Sequence, residues 1–291
     1  MQQSLQNSKS RLNPFERAAA IALTIILLLL VICIVELVAL VLLKTRSNSQ
    51  VADEQTNNIL HTEPIETEPP QTDIHASVVL SQTPDYGQEY IDQLIFIGDS
   101  TTHGMKSHHY HVLKGGTETK QVWTSSTGTL SLDLEINKKT IVYPDTGTEM
   151  TIAEAARLKK PKYLVITLGI NYGVPYLDEA KFKQCYRKLL DDIVAASPET
   201  KIILQSIFPV ASDNEIKAIT NEKIDLANVW VADLALEYSA NYSFKYLDTN
   251  SILKDSEGWL NPIYKADSLH LNRAGFEAVL AYIRTHGYPE E

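Results

Sequence analysis

The chain has 291 residues, 36 of them acidic and 26 basic, for a net charge of −10, and 44% are hydrophobic. That length accommodates one large or two small domains, and the acidic excess leaves no basic patch of the kind a nucleic-acid partner requires. Of the two cysteines, Cys33 falls in an apolar run and Cys185 stands alone beyond it, so no disulfide is expected to brace a folded domain.

From the N-terminus, Ala18 to Leu43 is apolar except for Thr24 and Glu36. A helix of that length spans the roughly 30 Å hydrocarbon core of a bilayer. A cleavable signal peptide is the main alternative, but its apolar region is shorter and ends in a small-x-small site, which is missing here. The expected organisation is therefore a short cytoplasmic N-terminus (1–17), one transmembrane helix (18–43) and an acidic disordered linker (44–90). A folded domain over 91–291 would follow, outside the membrane. Lys9, Arg11 and Arg17 before the run against Lys44 and Arg46 after it lean only slightly toward that orientation. The linker assignment rests on Val51 to Tyr90, which has eight acidic residues, no Lys or Arg, and the stretch Glu63 to Pro70 rich in proline. A tether of this kind suits a protein displayed in a bacterial cell envelope.

Past Ile91 short apolar runs alternate with amphipathic helices. Leu94–Ile97, Tyr163–Leu168 and Lys201–Ile207 are expected strands of a parallel sheet, apolar on both faces, and Phe244–Leu247 is a shorter one. The helices announce their ends. Thr151 and Glu154 form a capping box for a helix that Pro161 stops, and Asp178, Thr220 and Asn272 each stand where a helix N-cap belongs. The alternation predicts a three-layer α/β/α sandwich whose site lies beyond the carboxyl ends of its strands. Residues 106–116 and 138–148 have loop character and no assigned element.

Four short blocks carry chemistry. Gly98-Asp99-Ser100 follows the first strand directly, presenting a serine at a strand's carboxyl end. Asp267-Ser-Leu-His270 precedes the last helix. Three residues apart on a turn, a carboxylate and an imidazole can lie side by side, so that His270 activates a hydroxyl while Asp267 orients the ring. Read alone, the same pair is a cap and an exposed histidine. Gly169-Ile-Asn171 ends the central strand, where Asn171 is either a turn former or a donor to an oxyanion. Trp123 to Gly128 adds a loop whose glycine N–H could be a further donor.

Taken in order, these blocks resemble those of the SGNH/GDSL hydrolase family over about Ile91 to the C-terminus. The resemblance implies a flavodoxin-like α/β/α fold and a serine esterase with Ser100 as nucleophile and Asp267 and His270 completing the triad. It implies an oxyanion hole made of the Ser100 N–H, the Gly128 N–H and the Asn171 side chain, with no cofactor. Departures are Tyr172 where the family often has Asp, Ser268 and Leu271 in the last block, and a loose match around Gly128. The expected partner is an ester substrate on a cell-envelope or environmental glycan or lipid. An acyltransferase acting on wall polymers, or a binding protein that lost catalysis, are the rivals. His103, His108, His109 and His111 cluster near Ser100 in sequence, but their spacing matches no metal motif, so a polar loop is expected and no metal.

Overall fold

The computed structural model describes residues 74–107 and 113–289. The expected span over 18–43 lies outside the described residues, as does most of the expected linker. Among the described residues no helix is long and apolar enough to cross a membrane.

A parallel five-stranded sheet organises the domain. Its strands are β1 (Leu94–Gly98), β2 (Val122–Trp123), β5 (Tyr163–Thr167), β6 (Lys201–Gln205) and β7 (Phe244–Leu247), in the spatial order β2-β1-β5-β6-β7. Between β2 and β5 a small antiparallel ladder of β3 (Thr140–Val142) and β4 (Glu149–Thr151) occupies the region left without an element above. Every position of β1 and β5 is buried. Alternate strand residues face opposite sides, so Ile95, Ile97, Leu164 and Ile166 enter one core while Leu94, Phe96, Tyr163 and Val165 enter the other.

The first core is covered by α3 (Ile152–Lys159), α5 (Glu179–Ala196) and α6 (Asn221–Ser239), and the second by α1 (Gly87–Ile91), α2 (Ser100–Ser107) and α8 (Arg273–Thr285). These make three layers. Two single-turn helices, α4 (Gly173–Tyr176) and α7 (Asn250–Leu253), cap strand ends. The expected caps are in place: Thr151 and Glu154 form the full capping box, and the side chains of Asp178, Thr220 and Asn272 each accept a backbone N–H of the first turn.

The expected linker boundary at Tyr90 is corrected by residues 74–90. Val79 bridges Tyr246 in parallel, the Leu80 N–H donates to the Tyr246 carbonyl, and the Tyr246 N–H donates to that of Val78. Val78 and Leu80 are buried. His75 pairs with Asp233 of α6 at 2.7 Å, and Arg284 of α8 with Asp85. An unpaired β7 edge would leave its backbone groups open, and this segment satisfies those of Tyr246. Three apolar residues inside an acidic stretch are too few to register in composition.

With β2 on one side of β1 and β5 on the other, the direction of winding reverses between β1 and β5. Ligands of such sheets bind at that crevice, beyond the strand ends. Ser100 and Asn171 flank it.

Candidate active site

β1 ends at Gly98, where a side chain would stand 2.6 Å from the Thr167 carbonyl of β5 and would strike the Thr102 side chain as well. Glycine is thus what lets α2 start hard against the sheet. Asp99 follows, only 1% exposed. Its Oδ1 accepts the Thr101 N–H at 3.0 Å and the Thr101 hydroxyl at 2.8 Å. Burial pushes this carboxyl up to about 6 against those hydrogen bonds and the nearby His270. Ser100 is then the first residue of α2, with its N–H among the donors that a helix start leaves unsatisfied.

On the loop before α8, the Asn272 side chain accepts the Gly275 N–H at 3.0 Å and donates to the carbonyls of Ile263 and Lys265 at 2.8 and 3.2 Å. Lys265 and Leu271 form an antiparallel bridge, and the Ala211 N–H donates to the Ser268 carbonyl at 3.0 Å. The loop is therefore tied at both ends. Within it, Asp267 Oδ1 accepts the N–H groups of Leu269 and His270, each at 2.8 Å. Burial works to raise the Asp267 carboxyl, but these two N–H groups and the His270 ring outweigh it and hold the group below the ordinary carboxylate range.

Distances then define a relay. His270 Nδ1 lies 2.9 Å from Asp267 Oδ2 and 3.0 Å from Oδ1, and His270 Nε2 lies 3.0 Å from Ser100 Oγ. A carboxylate only accepts, so Nδ1 carries the proton and Nε2 is left as the acceptor facing the serine hydroxyl. Residues 170 positions apart in sequence meet here in the geometry required of nucleophile, base and orienting acid.

Asn171 stands at the end of β5. Its carbonyl accepts the Leu132 N–H at 3.1 Å and the Gly173 N–H at 2.9 Å. The carbonyl is therefore doubly engaged, while the side-chain amide makes no hydrogen bond to another described residue and borders an open groove. An amide held at its root and unused at its tip is a preorganised donor.

Gly128 departs from expectation. Its N–H closes a turn on the Ser125 carbonyl at 2.9 Å, so that donor is already spent. What requires glycine there is shape: φ is 72°, and a Cβ would stand 2.8 Å from Cγ of the His103 ring. His103, one turn into α2 from Ser100, bonds Thr124 Oγ1 through Nδ1 at 2.9 Å and so joins α2 to this loop. His108, His109 and His111 lie outside the described residues. Among the described residues no group of three or more His, Cys, Asp or Glu is placed to hold a metal.

Two features escaped the sequence. Asp99 is buried in the serine turn and satisfied there by Thr101, although a carboxylate set directly after a buried strand was a visible sign that something must satisfy it. Tyr172 adopts φ 70°, ψ −40°, which no local sequence rule for tyrosine foretells.

A family model described as the GDSL-like Lipase/Acylhydrolase family matches residues 96–278. A search of curated proteins returns no match. Solved structures similar in fold include a Streptococcus pneumonia protein named for platelet activating factor, with 20% identity, 66% of this chain and 82% of that one covered, and a TM-score of 0.47. A GDSL-like lipase from Bacteroides thetaiotaomicron aligns at 16% identity over 72% of this chain and 91% of its own, with a TM-score of 0.43. An active-site mutant of a family two carbohydrate esterase from Clostridium thermocellum aligns at 13% identity over 66% and 61%, with a TM-score of 0.45.

Proposed function

The chain belongs to the GDSL-like lipase/acylhydrolase family, and from that premise we propose that it is a serine esterase in which Ser100 is the nucleophile, His270 the base and Asp267 the group that orients it. The observation that carries this is the continuous relay from the Ser100 hydroxyl through His270 to Asp267 at 3.0 and 2.9 Å.

In the first half-reaction Ser100 Oγ attacks the ester carbonyl carbon while His270 Nε2 takes the hydroxyl proton. Asp267 stabilises the imidazolium without accepting its proton. The electron pair displaced onto the carbonyl oxygen is met by the Ser100 N–H and the Asn171 side-chain amide, and the start of α2 adds its positive dipole end. Collapse expels the alcohol, which takes the proton from His270, and leaves an acyl-serine. Water, deprotonated by the same imidazole, then releases the acid and restores Ser100. The oxyanion hole so drawn has two donors from the described residues, since the Gly128 N–H is engaged elsewhere.

An active-site fluorophosphonate, applied to the full-length chain and to Ser100→Ala, tests the assignment together with a panel of short- and long-chain esters of aryl alcohols, glycans and lysophospholipids. Labelling and turnover that vanish in the variant support it. Labelling of a different serine would sink it, and release of acyl product on a sugar acceptor in place of free acid would convert the esterase into an acyltransferase.

From the sequence alone we further propose that residues 18–43 anchor the chain in a bacterial membrane with the catalytic domain outside. Protease added to intact cells should then remove the domain, and a protected domain would reverse the topology.

A further inference from the structure

Next to Asn171 the backbone is strained. Tyr172 lies at φ 70°, ψ −40°, and the Gly173 N–H closes onto the carbonyl two residues back at 2.9 Å. This is the γ-turn with positive φ, the rare and costly form, and a bulky residue in it is an outlier. Glycine would relieve that cost. Strain of this kind concentrates at ligand clamps, where the side chain's position is worth more than the backbone's comfort.

The Tyr172 ring is used at the surface. It is 46% exposed, and Tyr176 at the end of α4 is 69% exposed. The two rings lie against each other with centroids 5.4 Å apart and planes at 53°. Two open depressions share this pair. One, of about 360 Å³, includes Thr129, Ser131 and Ile216 and reaches Asn171. The other, of about 630 Å³, continues to Asp133 and Lys181.

Aromatic faces bordered by hydroxyl, carboxylate and ammonium groups match a ligand with an apolar face and a polar edge. A pyranose ring has that character: its axial C–H groups form one flat apolar side, and its hydroxyls point outward around the rim. A fatty-acyl chain would be better served by a closed apolar tunnel, and both depressions are open with mixed lining. Resting on the esterase reading of Ser100 and His270, we propose that Tyr172 and Tyr176 form a sugar-stacking subsite that holds a pyranose ring of an O-acetylated oligosaccharide with its ester group at Asn171. The substrate class is thus an acetylated glycan.

The test compares the full-length chain with Tyr176→Ala and Tyr176→Phe on acetylated xylotetraose, cellotetraose and chitotetraose and on 4-nitrophenyl acetate. Tyr176 is exposed, so its truncation does not threaten folding. For the best sugar ester, Tyr176→Ala should raise KM about tenfold, the scale of one lost stacking contact, and lower the kcat/KM preference for sugar over aryl acetate by a similar factor. Tyr176→Phe should restore both, because the ring face is kept. An unchanged KM on every sugar, equal loss on sugar and aryl esters, or a loss confined to long-chain esters would overturn the subsite. If the unsubstituted chain cleaves no ester at all, it is the esterase reading that has failed. The subsite then stands or falls on calorimetric titration with the unacetylated tetraoses, where binding by the chain and its loss in Tyr176→Ala support it, and no binding overturns it.

Discussion

Replacing Asp99 by asparagine removes a charge that the fold buries at a measurable cost. The Asp99 carboxyl titrates at about 6 in the folded chain against an ordinary 3.8, because burial opposes ionisation more than its hydrogen bonds favour it. A folded-state value raised above the unfolded one means that the native state binds more protons between the two, so stability falls as pH rises through that window. The full difference corresponds to about 3 kcal/mol, of which roughly 2 to 3 kcal/mol falls between pH 4 and pH 7.

An asparagine at this position would have no such dependence. It can still accept from Thr101, but it would bury an N–H₂ where the carboxylate was, which costs about 1 to 3 kcal/mol at every pH when it is left without an acceptor. The informative quantity is therefore the slope of the difference. Urea unfolding of wild type and Asp99→Asn at several pH values between 4 and 7 should show the variant gaining on wild type by roughly 2 to 3 kcal/mol as pH rises. Other carboxylates, such as the depressed Asp85 and Asp145, titrate in both proteins and cancel. A difference that stays flat with pH would mean that Asp99 is not held at a raised value, and the account of its burial would be wrong.

Further substitutions probe the site. Ser100→Ala and His270→Ala should each bring ester turnover near background and their combination should lose little more, since neither acts without the other; additive losses would argue against a shared step. Asp267→Asn should cost on the order of 10⁴ in kcat by favouring the wrong ring tautomer, with the fold preserved by circular dichroism. Asn171→Ala should lower kcat by about 10² to 10³, and unchanged turnover would return Asn171 to the role of turn former. Gly128→Ala, forced into φ 72° against the His103 ring, should lose about 1 to 3 kcal/mol in chemical denaturation, while an unshifted midpoint would mean that the loop yields without cost.

Much of the fold was legible because its signals are local. A capping box needs only Thr151 and Glu154, and a buried parallel strand such as Tyr163–Thr167 displays its apolar faces in five consecutive residues. The order of the four chemical blocks along the chain was equally visible. By itself the sequence determined the α/β class and the helix starts at Asp178, Thr220 and Asn272, and it named a serine, a histidine and a carboxylate as candidates.

Tertiary structure alone decided how these pieces are spent. Whether Gly128 offers its N–H depends on the Ser125 carbonyl that the turn brings to it, and its need for glycine comes from a histidine on another element. The segment Val78 to Leu80 bridges Tyr246 at the open edge of β7, which no window of acidic residues can report. Asp99 became a buried carboxylate only when β1 and β5 lay side by side and closed over it, leaving Thr101 to satisfy it. Hydrogen-bond partners far apart in sequence are assigned by the packing of the whole sheet, so donors and acceptors can be named from residues but paired only in three dimensions.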